Sequence, residues 1–170
     1  MNQEYKNLWQ KWVTTENMLL FLVVATVGLL GFALVLEYFV DLVPCPLCIV
    51  QRVFYLLIGL TALFTFLPKV RDIWTVQKAA IAVVTWALIG GGVAMRQVWL
   101  QRFPIQSEST TGCAVSFGSF LDGVLYALGG RGNCGIVDWT FLTFSIAEWS
   151  LCWFILFALC GAWLIFNEKR

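Results

Sequence analysis

Four apolar stretches, at about residues 18–39, 45–67, 79–100 and 146–166, constrain this chain more than any other feature. Each is close to the roughly 20 residues that a helix needs to cross the hydrocarbon core of a bilayer. In that solvent every backbone N–H and C=O has to be satisfied within the protein, so stretches of this length are expected as helices. The expected fold is all-α: a bundle of four transmembrane helices held in the lipid bilayer. Charged residues make up only 12% of the chain and the mean hydropathy is +0.81, whereas soluble domains carry roughly 25% charge. No segment reads as a soluble domain, an internal repeat or a low-complexity tract, so residues 1–170 are expected to form one integral membrane domain. The first stretch is too long, and starts too late, for a cleaved signal peptide, and reads as a retained anchor.

Lysine and arginine set the expected orientation. Lys6 and Lys11 precede the first span, Lys69, Arg71 and Lys78 lie between the second and third, and Lys169 and Arg170 follow the fourth. The opposite side holds a short first link, with Asp41 and no basic residue, and a long loop over residues 101–145 with only Arg102 and Arg131. Both termini are therefore expected in the cytoplasm, with the first link and the long loop outside. In a bacterium this describes a multi-pass protein of the inner membrane whose outer loops face the oxidising periplasm.

Composition narrows the chemistry. A net charge of +1 gives no electrostatic footprint for nucleic acid, and the absence of histidine removes the commonest catalytic base and metal ligand. Chemistry is then left to cysteine, to carboxylate or to a bound cofactor, and the cysteines are six: Cys45, Cys48, Cys113, Cys134, Cys152 and Cys160. The last two fall inside the fourth span, where small apolar packing is expected of them. The other four lie on the outer side.

Cys45 and Cys48 stand in "PCPLC", residues 44–48. Proline suits the start of a helix, where its missing N–H has no intrahelical partner to lose. The two cysteines are thus expected in the first turn of the second span, where positions i and i+3 approach closely enough for a disulfide. A helix N-terminus also favours a thiolate. The expectation is a reactive pair at the outer membrane edge. Arg52 follows Cys48 by one helical turn, about 6 Å deeper, where a cation is costly without a partner. Spacing leaves two readings equally open for Arg52. It faces a Cys48 thiolate or the oxygens of a reduced quinone, or it snorkels outward or pairs with Glu37 or Asp41.

Cys113 and Cys134 enclose 20 residues of the long loop. One close pair and one distant pair are a poor pattern for structural zinc, and no metal site is expected. A structural disulfide closing this loop would contribute about 3 kcal/mol; for these two cysteines alone, structure and function weigh evenly. The reactive pair on the same face favours function, since thiol–disulfide exchange can connect the two pairs. Between them Phe117, Phe120, Leu121, Val124, Leu125 and Leu128 recur at helical spacing. They predict a short amphipathic helix, lying on the membrane or packed against the bundle. The glycine-rich "GGRGNCG" around Cys134 predicts a mobile segment.

Together these residues resemble the disulfide bond formation protein B (DsbB) family over nearly the whole chain. The resemblance rests on "PCPLCIVQR" with Cys45, Cys48 and Arg52, on the four spans, and on the loop pair Cys113 and Cys134. "RQVWLQRFP" (96–104) and "WTFLTFSIAEWSL" (139–151) also look like family segments. It implies a quinone-dependent protein disulfide oxidase, with ubiquinone or menaquinone as cofactor and a DsbA-like periplasmic thioredoxin-fold protein as partner. By the same resemblance Cys113 would be attacked by the partner's thiolate and Cys134 would be its loop partner. Electrons would then reach Cys45 and Cys48, with Cys48 and Arg52 contacting the membrane quinone. Such a partner is a strong oxidant, so only an electron sink such as quinone makes its reoxidation favourable. The chain departs from the best-known members in lacking a histidine near the quinone, where it has Arg96 and Gln97. Arg96 is expected chiefly as an interfacial anchor. The competing readings are a quinone reductase like vitamin K epoxide reductase, which usually carries its C-x-x-C late in the chain, and a non-enzymatic membrane scaffold with a structural loop disulfide.

Overall fold

The structure is a computed structural model and describes residues 14–39, 45–67, 75–103, 140–141 and 143–167. Cys113, Cys134 and the expected amphipathic helix between them lie outside the described residues. Four long helices follow one another: α1 (Thr15–Phe39), α2 (Pro46–Phe66), α3 (Val76–Arg102) and α4 (Ile146–Asn167). All four are long and apolar enough to cross a membrane. A minimal antiparallel ladder, β1 (Thr140–Phe141) with β2 (Phe144–Ser145), precedes α4 and turns through Thr143 at φ 69°.

Two helices extend past their apolar stretches. α1 starts at Thr15 because Thr14 Oγ1 accepts a hydrogen bond from Asn17 N at 3.3 Å and Glu16 stands in the first turn, favourable to the helix dipole. α3 gains Gln77 and Lys78 at one end and Gln101 and Arg102 at the other. These straight side chains keep helical propensity while their polar ends reach out of the hydrocarbon layer.

α1 packs on α2, α2 on α3 and α3 on α4, with a lighter contact between α1 and α4. Buried positions recur at spacings of three and four: Ala80, Val83, Ala87, Gly90, Ala94 and Gln97 on α3, and Ala147, Ser150, Phe154, Phe157, Gly161 and Leu164 on α4. One stripe is small and the other carries large rings, so they interlock. Lipid is as apolar as leucine, so close packing and interhelical hydrogen bonds hold such helices together. A Cβ at Gly90 would lie 2.5 Å from the Phe154 ring, and one at Gly59 2.5 Å from Thr26 Oγ1. Only glycine permits either approach. Tyr55 crosses from α2 to α4, its hydroxyl 2.7 Å from Ser150 Oγ and its ring stacked on Phe154 at 4.3 Å.

Large apolar residues cover the outside, among them Val27, Phe32, Leu88, Leu159 and Phe166. This is the surface that lipid chains would cover. Cys160 joins the core, as expected of a small packer. Cys152 does not: it lies off the buried stripe of α4, on the exposed face.

Candidate active site

The cysteine pair is built by the start of α2. Cys45 is the N-cap, in extended conformation (φ −70°, ψ 156°), and Pro46 follows as the first helical residue. Cys48 N donates to Cys45 Sγ at 3.4 Å, so one sulfur satisfies a free backbone donor of the first turn. Both side chains are half-buried and no disulfide joins them, with Cys45 Sγ donating to Cys48 Sγ at 3.0 Å. Exchange between dithiol and disulfide therefore needs only a small movement within one helical turn. Leu47 and Leu100, both buried, pack with Cys45 and Val93 and give the pair a dry wall.

Two polar clusters flank the pair. On the α1 side, Arg52 Nη1 donates to Glu37 Oε2 at 2.5 Å, and Nη2 lies 3.5 Å from Ala33 O. Glu37, one of the partners expected for Arg52, is thus its ion-pair partner. The two side chains keep 25% and 30% of their surface exposed. On the α3 side the contacts reach the sulfurs themselves. Gln97 Nε2 lies 3.3 Å from Cys48 Sγ and 3.5 Å from Cys45 Sγ, and Gln97 Oε1 accepts from Gln51 Nε2 at 2.7 Å. Both glutamines are only 4% exposed.

Gln51 was not singled out from the sequence, and Gln97 was noted only for its position. The signal was present in the register. Gln97 continues the buried stripe of α3 beyond Ala94, and Gln51 lies between Leu47 and Tyr55 on the buried stripe of α2. A polar residue in register with a transmembrane stripe faces the bundle, where it needs a partner.

The same end of the bundle carries the return of the long loop. Ser145 N donates to Glu148 Oε2 at 2.9 Å, Glu148 N donates to Ser145 Oγ at 3.3 Å, and together they form a capping box at the head of α4. Ser145 Oγ also meets Gln101 Oε1 at 2.8 Å, and Arg102 pairs with Glu148 at 2.7 Å. α3 thus contacts the cysteines through Gln97 and the root of the loop through Gln101, one turn apart.

The family model described as "Disulfide bond formation protein DsbB" matches residues 15–164. The chain is 39% identical to disulfide bond formation protein B of Aromatoleum aromaticum, over 92% of this chain and 95% of that one. It is 42% identical to the protein of that name from Verminephrobacter eiseniae, over 89% and 85%, and 36% identical to that of Hahella chejuensis, over 94% and 98%.

Proposed function

This chain belongs to the disulfide bond formation protein B family, and from that premise we propose that it is a thiol:quinone oxidoreductase that reoxidises a DsbA-like periplasmic dithiol protein. The observation that carries the reading is the close Cys45–Cys48 dithiol at the head of a transmembrane helix, with a buried amide against both sulfurs. A scaffold has no use for two close thiols held in this way.

In the proposed cycle the partner's thiolate attacks Cys113 of a Cys113–Cys134 disulfide. A mixed disulfide forms, Cys134 leaves as thiolate, and the partner's second thiol resolves the intermediate. The partner departs oxidised and the loop pair is left as a dithiol. That dithiol reduces a Cys45–Cys48 disulfide by the same exchange, so two electrons and two protons now reside on Cys45 and Cys48. Closing Cys45–Cys48 again releases both. A bound quinone, ubiquinone or menaquinone, supplies the sink, since its two carbonyls accept two electrons and two protons.

The residues at the head of α2 fit such a group. Cys48 offers its sulfur, the partly exposed Arg52 offers N–H donors, and Ile49 and Val53 present apolar surface on the outer face of α2. Cys48 and Arg52 would hold the quinone, with Glu37 fixing the guanidinium. The same reading makes the chain one integral membrane domain over residues 1–170, with both termini cytoplasmic. Its four redox cysteines would face the periplasm. Supporting that sidedness, the heads of α2 and α4 and the ends of α1 and α3 meet at one end of the bundle, through Glu37–Arg52, Gln97–Cys48 and Gln101–Ser145. The loop-side links carry few basic residues.

The test is quinone reduction by the purified protein supplied with a reduced DsbA-like partner, followed by quinone absorbance. Wild type is expected to turn over with one quinone class, and Cys48→Ser and Cys113→Ser are each expected to lose at least about 100-fold, since either break leaves the relay without a bond to exchange. Silence of the wild type with both quinone classes and an active partner would overturn the reading in favour of a structural scaffold.

A further inference from the structure

The geometry points to Gln97 as a catalytic residue that donates a hydrogen bond to the sulfur of Cys48, with Gln51 as the positioning residue that fixes which end of the Gln97 amide faces the sulfurs. The inference deepens the oxidase reading, but its test does not require quinone or partner.

A free glutamine side chain turns either its oxygen or its nitrogen to a neighbour. Here Gln51 Nε2 occupies Gln97 Oε1 at 2.7 Å, so Gln97 Nε2 is aimed at Cys48 Sγ, 3.3 Å away, and at Cys45 Sγ, 3.5 Å away. The Gln97 oxygen lies farther from Cys48 Sγ, at 3.8 Å. Rotating both amides would turn the oxygen to the sulfurs. A thiolate or a disulfide has no proton to give that oxygen, and these are the states a redox pair must pass through. The arrangement on the page serves them both.

Burial gives the contact its weight. Gln97 and Gln51 are each 4% exposed, and every buried side-chain nitrogen and oxygen among the described residues has a partner. At that degree of enclosure bulk solvent competes poorly with the amide. A hydrogen bond to an ionised sulfur in such a place favours the thiolate about ten- to a hundredfold over the same site without the donor. Arg52, engaged by Glu37 on the opposite flank, is not the group against the sulfur. The division of labour follows: Gln97 joins the Cys45 thiol, itself 3.0 Å from Cys48 Sγ, in favouring the thiolate, while Arg52 stays available to the outer face.

The experiment is the rate of iodoacetamide alkylation at Cys48 in the reduced, full-length protein in detergent, read by peptide mass spectrometry, with Cys152 as internal reference. Loss of thiolate slows alkylation, and the greater nucleophilicity of a more basic sulfur offsets roughly half of that on a logarithmic scale. Gln97→Leu is therefore expected to slow Cys48 about three- to tenfold at neutral pH and to leave Cys152 unchanged. Gln97→Glu keeps the size of the side chain but exchanges the donor for an acceptor, and is expected to slow Cys48 at least as much. Gln51→Leu leaves the donor but frees its orientation, and is expected to produce a smaller change of the same sign. Wild-type alkylation of Cys48 in Gln97→Glu, or in a Gln97→Leu protein that still unfolds cooperatively, overturns the inference. Slowed alkylation in a protein that fails to reduce quinone would leave the hydrogen bond standing and remove the oxidase reading alone.

Discussion

The head of α2 is flanked by two polar pairs built on different terms. Glu37 and Arg52 are charged, join α1 to α2, and keep a quarter to a third of their surface exposed. Gln51 and Gln97 are neutral, join α2 to α3, and are almost completely enclosed. The difference follows the cost of desolvation. Removing an ion from water costs several kcal/mol even when paired, whereas an amide that keeps its hydrogen bonds is buried at little net cost. The charges therefore lie at the rim of the bundle, and the amides occupy the dry seam beside Leu47 and Leu100. Cys48 stands between, one helical turn or less from Gln51 and Arg52 in the chain, and its sulfur is contacted from the neutral side.

The comparison is broken most severely by moving α3. Gly90→Leu forces a side chain against the Phe154 ring and Phe54. It should cost about 2–3 kcal/mol in an unfolding titration. It should also slow alkylation of Cys48, since Gln97 rides on the same helix, while the α1–α2 pair stays in place. A smaller loss is expected from Glu37→Leu, which leaves Arg52 charged in a half-enclosed groove. About 1–2 kcal/mol is expected, less than the 3–5 of a fully buried pair because both groups are partly exposed. Replacing both, Glu37→Leu with Arg52→Leu, should return stability to near wild type while quinone reduction stays low.

The neutral pair should respond more gently. Gln97→Leu leaves Gln51 without its acceptor and should cost about 1 kcal/mol, with the double change Gln51→Leu and Gln97→Leu close to wild type. A double-mutant cycle on each flank measures the two couplings directly, and equal values would erase the distinction drawn between them. The smallest effect is expected at the root of the loop. Ser145→Ala removes the cap of α4 and the tie to Gln101, for about 0.5–1 kcal/mol. On the proposed reading quinone reduction should fall only slightly, and a large fall would show that Gln101 transmits the position of the loop to Gln97.

Much of this was legible in the chain itself. Hydropathy and length give the four helices, because a bilayer admits few other solutions. "PCPLC" gives a capped helix start with two thiols one turn apart, because proline and the first-turn geometry are local properties. Arg52 was legible as a residue needing a partner, with Glu37 among the candidates. Cys152 was not legible as an exposed residue, since an all-apolar helix carries little contrast between its faces. Gln51 and Gln97 were visible as polar residues in apolar stretches, but not as partners, because 46 residues of chain separate them.

What the sequence determined by itself is therefore depth and local form: which segments cross the membrane, and that the cysteines begin the second of them. What only the tertiary structure decided is direction. Gln51 and Arg52 are adjacent in the chain, and the helix turns them about 100° apart. That rotation sends one to α3 and the sulfurs, and the other to α1 and a carboxylate. Spacing along a helix fixes the angle between two side chains, but only the packing of whole helices fixes what stands at the end of each.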